Sequence, residues 1–292
     1  MKIINFKGGL GNQMFQYAFL LAHSQYHPTD EYFMDISSYN ANKSHNGFEL
    51  CRRFNIDTKI AEPDDLIPVK RHIKKNFLYR IQLKMLGPLS QVFLEKDFSK
   101  FYPDVLSTDK FYYDGYWQCH KYFDSISDEI KKTFTFEEKL DYMSSALREQ
   151  MCSNPYSVSV HVRRGDYLKS PLYEGLCDIQ YYLDAINWIS NRLSGHDLAF
   201  YVFSNDIDWC RQNLAKTFDN YKFIYVTHNK GDNSYRDMQL MSSCHHNIIA
   251  NSSFSWWAAY LNDTPNNLVI APQKWINSKM EYKIQIENWI LL

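Results

Sequence analysis

The 292-residue chain is predicted to be an α/β protein of two domains, each a parallel sheet covered by helices. Three observations carry that expectation. In the second half, short apolar runs alternate with helix-like stretches. At the N-terminus, an apolar run is joined to a helix by a glycine-rich turn. The length suits two domains of roughly 100–200 residues each, or one large α/β domain.

The second half is the more legible. Residues 158–162, 199–203, 223–226, 247–250 and 268–271 form short apolar runs of the kind found in buried strands. Helix-like stretches lie between several of them, at 179–193, 207–217, 235–243 and 254–261. Strands alternating with helices imply a parallel sheet with both faces covered. Ligands bind at the carboxyl ends of such strands. In the first half, 2–6 is a strand candidate, 8–12 a loop, 13–26 a helix and 32–35 the next strand. A further strand at 110–114 precedes helices near 121–132 and 138–150, whereas 40–110 shows no regular pattern. Ser153-Asn154-Pro155 marks the expected boundary, because proline disfavours helix in the residue before it. Domains at 1–153 and 154–292 result, facing each other across a cleft, with the last segment packing back on the first domain.

Composition excludes several classes. With 45% hydrophobic and 22% charged residues, the chain is neither disordered nor fibrous. Its 32 basic and 33 acidic side chains leave a net charge of −1, which argues against nucleic acid as a partner. Aromatic residues make up 16% of the chain and suit both large cores and sugar sites. No run approaches the ~18 consecutive apolar residues of a membrane span, and only four residues separate Met1-Lys2 from Lys7-Gly8-Gly9, too few for a signal peptide. Six scattered cysteines without a C-x-x-C pair point to free thiols in a reducing, cytoplasmic setting.

Four stretches carry chemistry. Gly8-Gly9-Leu10-Gly11-Asn12-Gln13 lets backbone N–H groups approach a phosphate or sugar, and equally suits a tight strand-to-helix turn. It matches neither a P-loop nor a dinucleotide fingerprint. His161-Val162-Arg163-Arg164-Gly165-Asp166-Tyr167 follows a strand. If that strand runs through 163, His161 and Arg163 share a face and Arg164 takes the other. Guanidinium forks at this edge suit a diphosphate, and Asp166 can pair with either arginine. Asn251-Ser252-Ser253-Phe254-Ser255-Trp256-Trp257 places hydroxyls and N–H groups at a helix start, with its tryptophans in the core. Phe203-Ser204-Asn205-Asp206-Ile207-Asp208 is open to two readings. One is a D-x-D metal site; the other is Asn205 capping a helix whose first turn welcomes acids. Asp237 can accept from a guanine edge or lie on a solvated helix face. From Lys70 to Met85, six basic residues and no acid accompany an apolar spacing of helical period. Such a helix either touches an anionic membrane surface or is simply solvated.

Together with Met14-Phe15-Gln16-Tyr17-Ala18 and Gly115-Tyr116-Trp117-Gln118, these stretches resemble the bacterial α-1,2-fucosyltransferases of glycosyltransferase family 11. The matching parts keep the family's order from residue 8 to 257. The resemblance implies a GT-B-like fold of two Rossmann-like domains, the first on the acceptor side and the second binding GDP-fucose. It implies inverting transfer of L-fucose to the 2-hydroxyl of a galactose-terminated glycan, with no metal or other cofactor. By the same resemblance Arg163 engages the donor β-phosphate. His161, Arg164, Asn205, Ser252, Ser253 and Phe254 help seat GDP, with Asp237 towards the guanine. Gly11, Asn12, Gln13 and Asp35 are assigned to the acceptor side. Asp166 and Asp35 are both candidates for the base. The competing readings are a metal-dependent transferase built on Asp206 and Asp208, and a non-catalytic carbohydrate-binding protein.

Overall fold

The computed structural model describes residues 1–41, 46–69, 91–98, 100–214, 216–218, 220–278 and 284–292. The basic segment from Lys70 to Met85 lies outside them. The chain divides into two compact units, Met1–Thr135 and Phe136–Leu292. The division falls before the expected boundary at 153/154, because the helix Tyr142–Ser153 packs on the helix Tyr235–Met241 of the second unit.

The first unit holds β1 (Lys2–Asn5), β2 (Tyr32–Asp35), β3 (Lys59–Ile60), β4 (Val92–Leu94) and β5 (Tyr112–Asp114) in the order β3-β2-β1-β5-β4. Every pairing is parallel. The first strand is therefore central: the chain builds outward to one side, then returns to pair on the other. The helix Leu10–Tyr26 follows β1 and buries most of its length, including Met14, Phe15, Ala18 and Phe19. It starts inside the stretch 8–12 that was expected to be loop.

The second unit repeats this plan. Its strands are β6 (Ser157–Val162), β7 (Ala199–Ser204), β8 (Lys222–Val226), β9 (His246–Ile248), β10 (Val269–Ala271) and β11 (Ile290–Leu291). They lie in the order β11-β10-β9-β6-β7-β8, all parallel. β6 is buried throughout, as its unbroken apolar-to-small pattern requires in a sheet covered on both faces. The helix Ile179–Arg192 begins at Asp178, whose carboxylate accepts from Tyr181 N at 3.1 Å, a side-chain N-cap. It lays Tyr182, Ala185, Ile186 and Ile189 into the core, and each fully buried isoleucine there contributes about 2 kcal/mol. The C-terminal tail, expected to pack back on the first domain, adds β11 to the edge of this second sheet. Among the described residues no helix is long and apolar enough to cross a membrane, and all six cysteines are free thiols.

Candidate functional site

Each sheet has one place where strand order reverses, and there the loops leaving two neighbouring strands part to leave a crevice. In the second unit this is the carboxyl edge of β6 and β9. β6 ends at Val162, and the side chains beyond it separate. Arg163 turns to Asp166, with Nη2 2.8 Å from Oδ1, and lies over the Tyr167 ring at 5.4 Å. Arg164 turns elsewhere: its Nε donates to Asp206 Oδ2 at 3.0 Å and its guanidinium stacks on Trp209 at 4.1 Å. The loop after β9 comes up beside Arg163. Tyr167 OH donates to Asn251 O at 3.3 Å, and the Phe254 ring stands 6.0 Å from that of His161. Ser252 caps the helix Ser253–Tyr260, its hydroxyl accepting from Phe254 N at 3.4 Å.

Two buried polar atoms here have no hydrogen-bond partner among the described residues, His161 Nδ1 and Arg163 Nε. Buried polar groups are normally satisfied, and these two, two residues apart beside a helix N-terminus, are polar atoms that a ligand could meet. Burial, aided by the Arg163 charge, pulls the His161 imidazole down to about 3. It is a neutral ring at any assay pH.

The remaining second-unit candidates are arranged around this centre. Asn205 supports the turn: its Oδ1 accepts from Arg164 N at 2.9 Å, and its Nδ2 would lie 2.4 Å from a Cβ at Gly165, whose φ is +43°. The helix Ile207–Asn213 is capped by Asp206, which accepts from Trp209 N at 3.2 Å, and not by Asn205 as expected. Asp208 pairs with Arg211 at 3.4 Å. Both carboxylates of the D-x-D stretch thus face guanidinium groups. Asp237 lies beyond β8 and accepts from Asn229 Nδ2 at 2.9 Å. Burial raises its carboxyl to about 7. Trp256 and Trp257 are core residues, as read from the sequence.

In the first unit the corresponding edge is that of β1 and β5. Asp114 Oδ1 accepts from Lys7 Nζ at 2.6 Å and from Asn5 Nδ2 at 2.8 Å. Lys7 lies over the Tyr116 ring at 4.7 Å, and Asn12 Oδ1 accepts from Gln118 Nε2 at 2.7 Å. Glu95, at the end of β4, accepts from Tyr116 N at 2.6 Å and Trp117 N at 3.3 Å, and burial raises its carboxyl above the usual range. Two residues expected on the acceptor side are structural. Gln13 is fully buried; its amide donates to Gly8 O and Gly47 O while its carbonyl accepts from Glu49 N and Leu50 N. Asp35 is 5% exposed and accepts from Ser37 N at 2.9 Å and Tyr112 OH at 2.7 Å. Gly11 is buried in the first helical turn, which leaves Asn12 as the half-buried member of that group.

A family model described as glycosyl transferase family 11 matches residues 1–292. The chain belongs to glycosyl transferase family 11. It is accordingly an enzyme of glycosyl transfer, and a purely sugar-binding role is set aside. It is 33% identical to the Escherichia coli O-antigen biosynthesis glycosyltransferase WbnK over 98% of both chains. It is 36% identical to an E. coli alpha-1,2-colitosyltransferase, covering 92% of this chain and 90% of that one. A galactoside alpha-(1,2)-fucosyltransferase 1 of Alouatta belzebul is 27% identical over 87% of this chain and 63% of its own. Among solved structures, fucosyltransferase NodZ from Bradyrhizobium matches 92% of this chain and 94% of its own with TM-score 0.56 at 14% identity. Arabidopsis thaliana FUT1 in complex with GDP matches 91% of this chain and 69% of its own with TM-score 0.53 at 12% identity. These likenesses bear out the GT-B-like α/β fold.

In this family 11 chain, stretches singled out in the second unit come together at the end of β6, whereas the cluster around Asp114 in the first unit lies mostly outside the stretches read from the sequence. Lys7, Asp114 and Glu95 carry no local signature. Asn12, Tyr116, Trp117 and Gln118 stood in stretches already singled out.

Proposed function

We propose that the enzyme transfers L-fucose from GDP-β-L-fucose to the 2-hydroxyl of a terminal galactoside, with inversion, to form an α-1,2 linkage. The observation that carries this reading is the pair of orphaned atoms, Arg163 Nε and His161 Nδ1, at the reversal point of the second sheet, in a chain whose relatives are named as α-1,2-transferases. Cleavage of the glycosyl–phosphate bond leaves an oxocarbenium-like sugar and a diphosphate gaining charge. Arg163 meets that charge with a planar guanidinium fork. The N–H groups opening the helix Ser253–Tyr260 add a positive dipole end. His161, held neutral, supplies a hydrogen bond and no charge. Arg164 supports the turn through Asp206 and Trp209. The β-linked donor and α-linked product require one displacement, in which the acceptor hydroxyl loses its proton late.

In this reading no metal is needed, because Asp206 and Asp208 face Arg164 and Arg211 and the charge is met by Arg163. Activity should survive EDTA. Loss on EDTA with return on Mn²⁺ would favour the metal-dependent alternative. The primary test is an assay with GDP-fucose and a panel of β-galactosides, with the product linkage determined. A product without a fucosyl α-1,2 bond overturns the reading.

The 36% identity to an α-1,2-colitosyltransferase favours one second reading, transfer of colitose. That sugar is L-fucose without its 3-hydroxyl. A site that hydrogen-bonds this hydroxyl rejects the deoxy sugar by about 10⁴-fold, whereas an apolar site discriminates only about 10²-fold. Competition between the two sugar nucleotides at equal concentration separates the readings.

A further inference from the structure

The carboxyl edge of the first sheet carries a polar cluster that donor binding leaves unused. Asn5 and Lys7 leave β1, Glu95 leaves β4, and Asp114 and Tyr116 leave β5. All five side chains are half-buried. Asp114 is held from one side only. Its Oδ1 takes both Lys7 Nζ and Asn5 Nδ2, while Oδ2 has no hydrogen-bond partner among the described residues. The loop beside it is built under strain. Trp117 has φ +55°, a conformation costly for a bulky residue. It is kept there by Glu95 and by stacking on Phe19 at 4.0 Å. The buried indole Nε1 of Trp117 also lacks a partner among the described residues. Cε2, bonded to it, would lie 2.6 Å from a Cβ at Gly115 and Glu95 Cβ 2.8 Å from the same point, so the orphan N–H sits against the cluster.

We infer that this cluster is the seat of a neutral, hydroxyl-rich sugar, the terminal hexose of the acceptor glycan, with Asp114 Oδ2 accepting from a sugar hydroxyl. The inference rests on the glycosyl-transfer reading above and names its acceptor contacts. Charge decides which ligand belongs at which edge. Here two carboxylates surround one ammonium and disfavour a diphosphate. The second sheet instead offers a guanidinium with an unmet donor and a helix N-terminus. A carboxylate pinned by an amide and an ammonium beside an aromatic ring suits a polyol. The carboxylate and Lys7 divide the hydroxyl protons between accepting and donating partners, and Tyr116 offers an apolar surface to the C–H face of the ring.

The test uses the full chain and the variants Asp114→Asn, Lys7→Met and Tyr116→Ala. Saturation-transfer NMR with methyl β-galactoside, lactose and N-acetyllactosamine, without nucleotide, reads sugar binding directly. Steady-state kinetics with varied acceptor reads KM, and the GDP-induced thermal shift reads the donor site. The expected result is acceptor KM raised about tenfold to a hundredfold in Asp114→Asn, the loss of one hydrogen bond to a charged group. Saturation transfer should weaken while the GDP shift stays as in wild type. Acceptor KM within twofold of wild type in all three variants overturns the inference, as does the absence of sugar binding in wild type. Tyr116→Ala keeps the test decisive if the two charge variants fold poorly, because it removes a ring contact to Lys7 and leaves the Lys7–Asp114 ion pair in place. A wild-type protein with no GDP shift would instead sink the donor reading, while leaving the NMR result to judge the sugar seat by itself.

Discussion

Arg163 and Asp166 pair at 2.8 Å, three residues apart on one turn, while the Nε of the same guanidinium stays buried and unmet. The arginine is therefore oriented at one end and available at the other. Its neighbour Arg164 is enclosed at both, by Asp206 and by the Trp209 ring. Two adjacent residues of one type thus do different work.

Replacing them should give different kinetics. Arg163→Ala is expected to lower kcat/KM by about 10²–10³, the usual effect of removing one donor to a developing charge. Arg163→Lys should recover little, since an ammonium lacks the fork. Arg164→Ala should lower the melting temperature and change kcat/KM much less. Equal losses at both positions, measured with GDP-fucose at fixed acceptor, would refute the division of roles.

Asp237 sets an opposing pair of effects. Its folded-state carboxyl is raised from 3.8 to about 7, so the folded protein holds a proton there that the unfolded chain has released. This contribution favours folding below about pH 4 and is lost as pH rises through 7. Asp237→Asn removes the buried charge, so its melting temperature should exceed wild type at pH 8 and match it near pH 4. Donor KM should rise if the carboxylate meets the guanine. His161, His23 and His246 act in the other sense. Burial lowers them to about 3, 4 and 4, so their contribution is complete above pH 6.5 and lost on acidification towards 4. Urea midpoints measured from pH 4 to 8 in wild type and Asp237→Asn resolve both slopes.

Gln13 offers a test of a purely structural role. It joins four backbone groups, at Gly8, Gly47, Glu49 and Leu50. Gln13→Ala leaves several buried groups unpaired, at about 1–3 kcal/mol each. The expected result is a marked fall in melting temperature, with acceptor KM unchanged in whatever folded fraction remains. A raised acceptor KM with normal stability would restore the residue to the acceptor side.

Gly115→Ala brings a Cβ to 2.6 Å from Trp117 Cε2 and 2.8 Å from Glu95 Cβ. Overpacking of this kind destabilises by about 1–3 kcal/mol. Because the strained Trp117 turn carries Tyr116, acceptor KM should rise as well. Calorimetry and acceptor titration check the two parts.

Much of the second unit was legible beforehand. β6 to β10 showed as apolar runs, but β6 stops at Val162, so Arg163 and Arg164 lie beyond the strand and are parted by their own partners, Asp166 and Asp206, and not by strand alternation. Strands β3, β4 and β11, of two or three residues each, were not read from the sequence. The cap on the helix Ile207–Asn213 was misplaced by one residue, since Asn205 and Asp206 have equal capping chemistry and only the Arg164 backbone decides between them. The Asp114 cluster was hidden for another reason. Lys7 and Asp114 meet across 107 residues, and a single chain carries no trace of such a pairing.

The central position of β6 also governs when the proposed donor site can exist. Ser159 and Asn247 join their strands across 88 residues, so Arg163 emerges from the ribosome long before the loop that faces it. Closure over that separation is slow compared with local helix formation. On the proposed reading, a nascent chain that ends before residue 250 has the arginine and should not yet hold a nucleotide. Nucleotide affinity in a series of stalled chains should therefore switch on in one step, and it reports completion of the sheet.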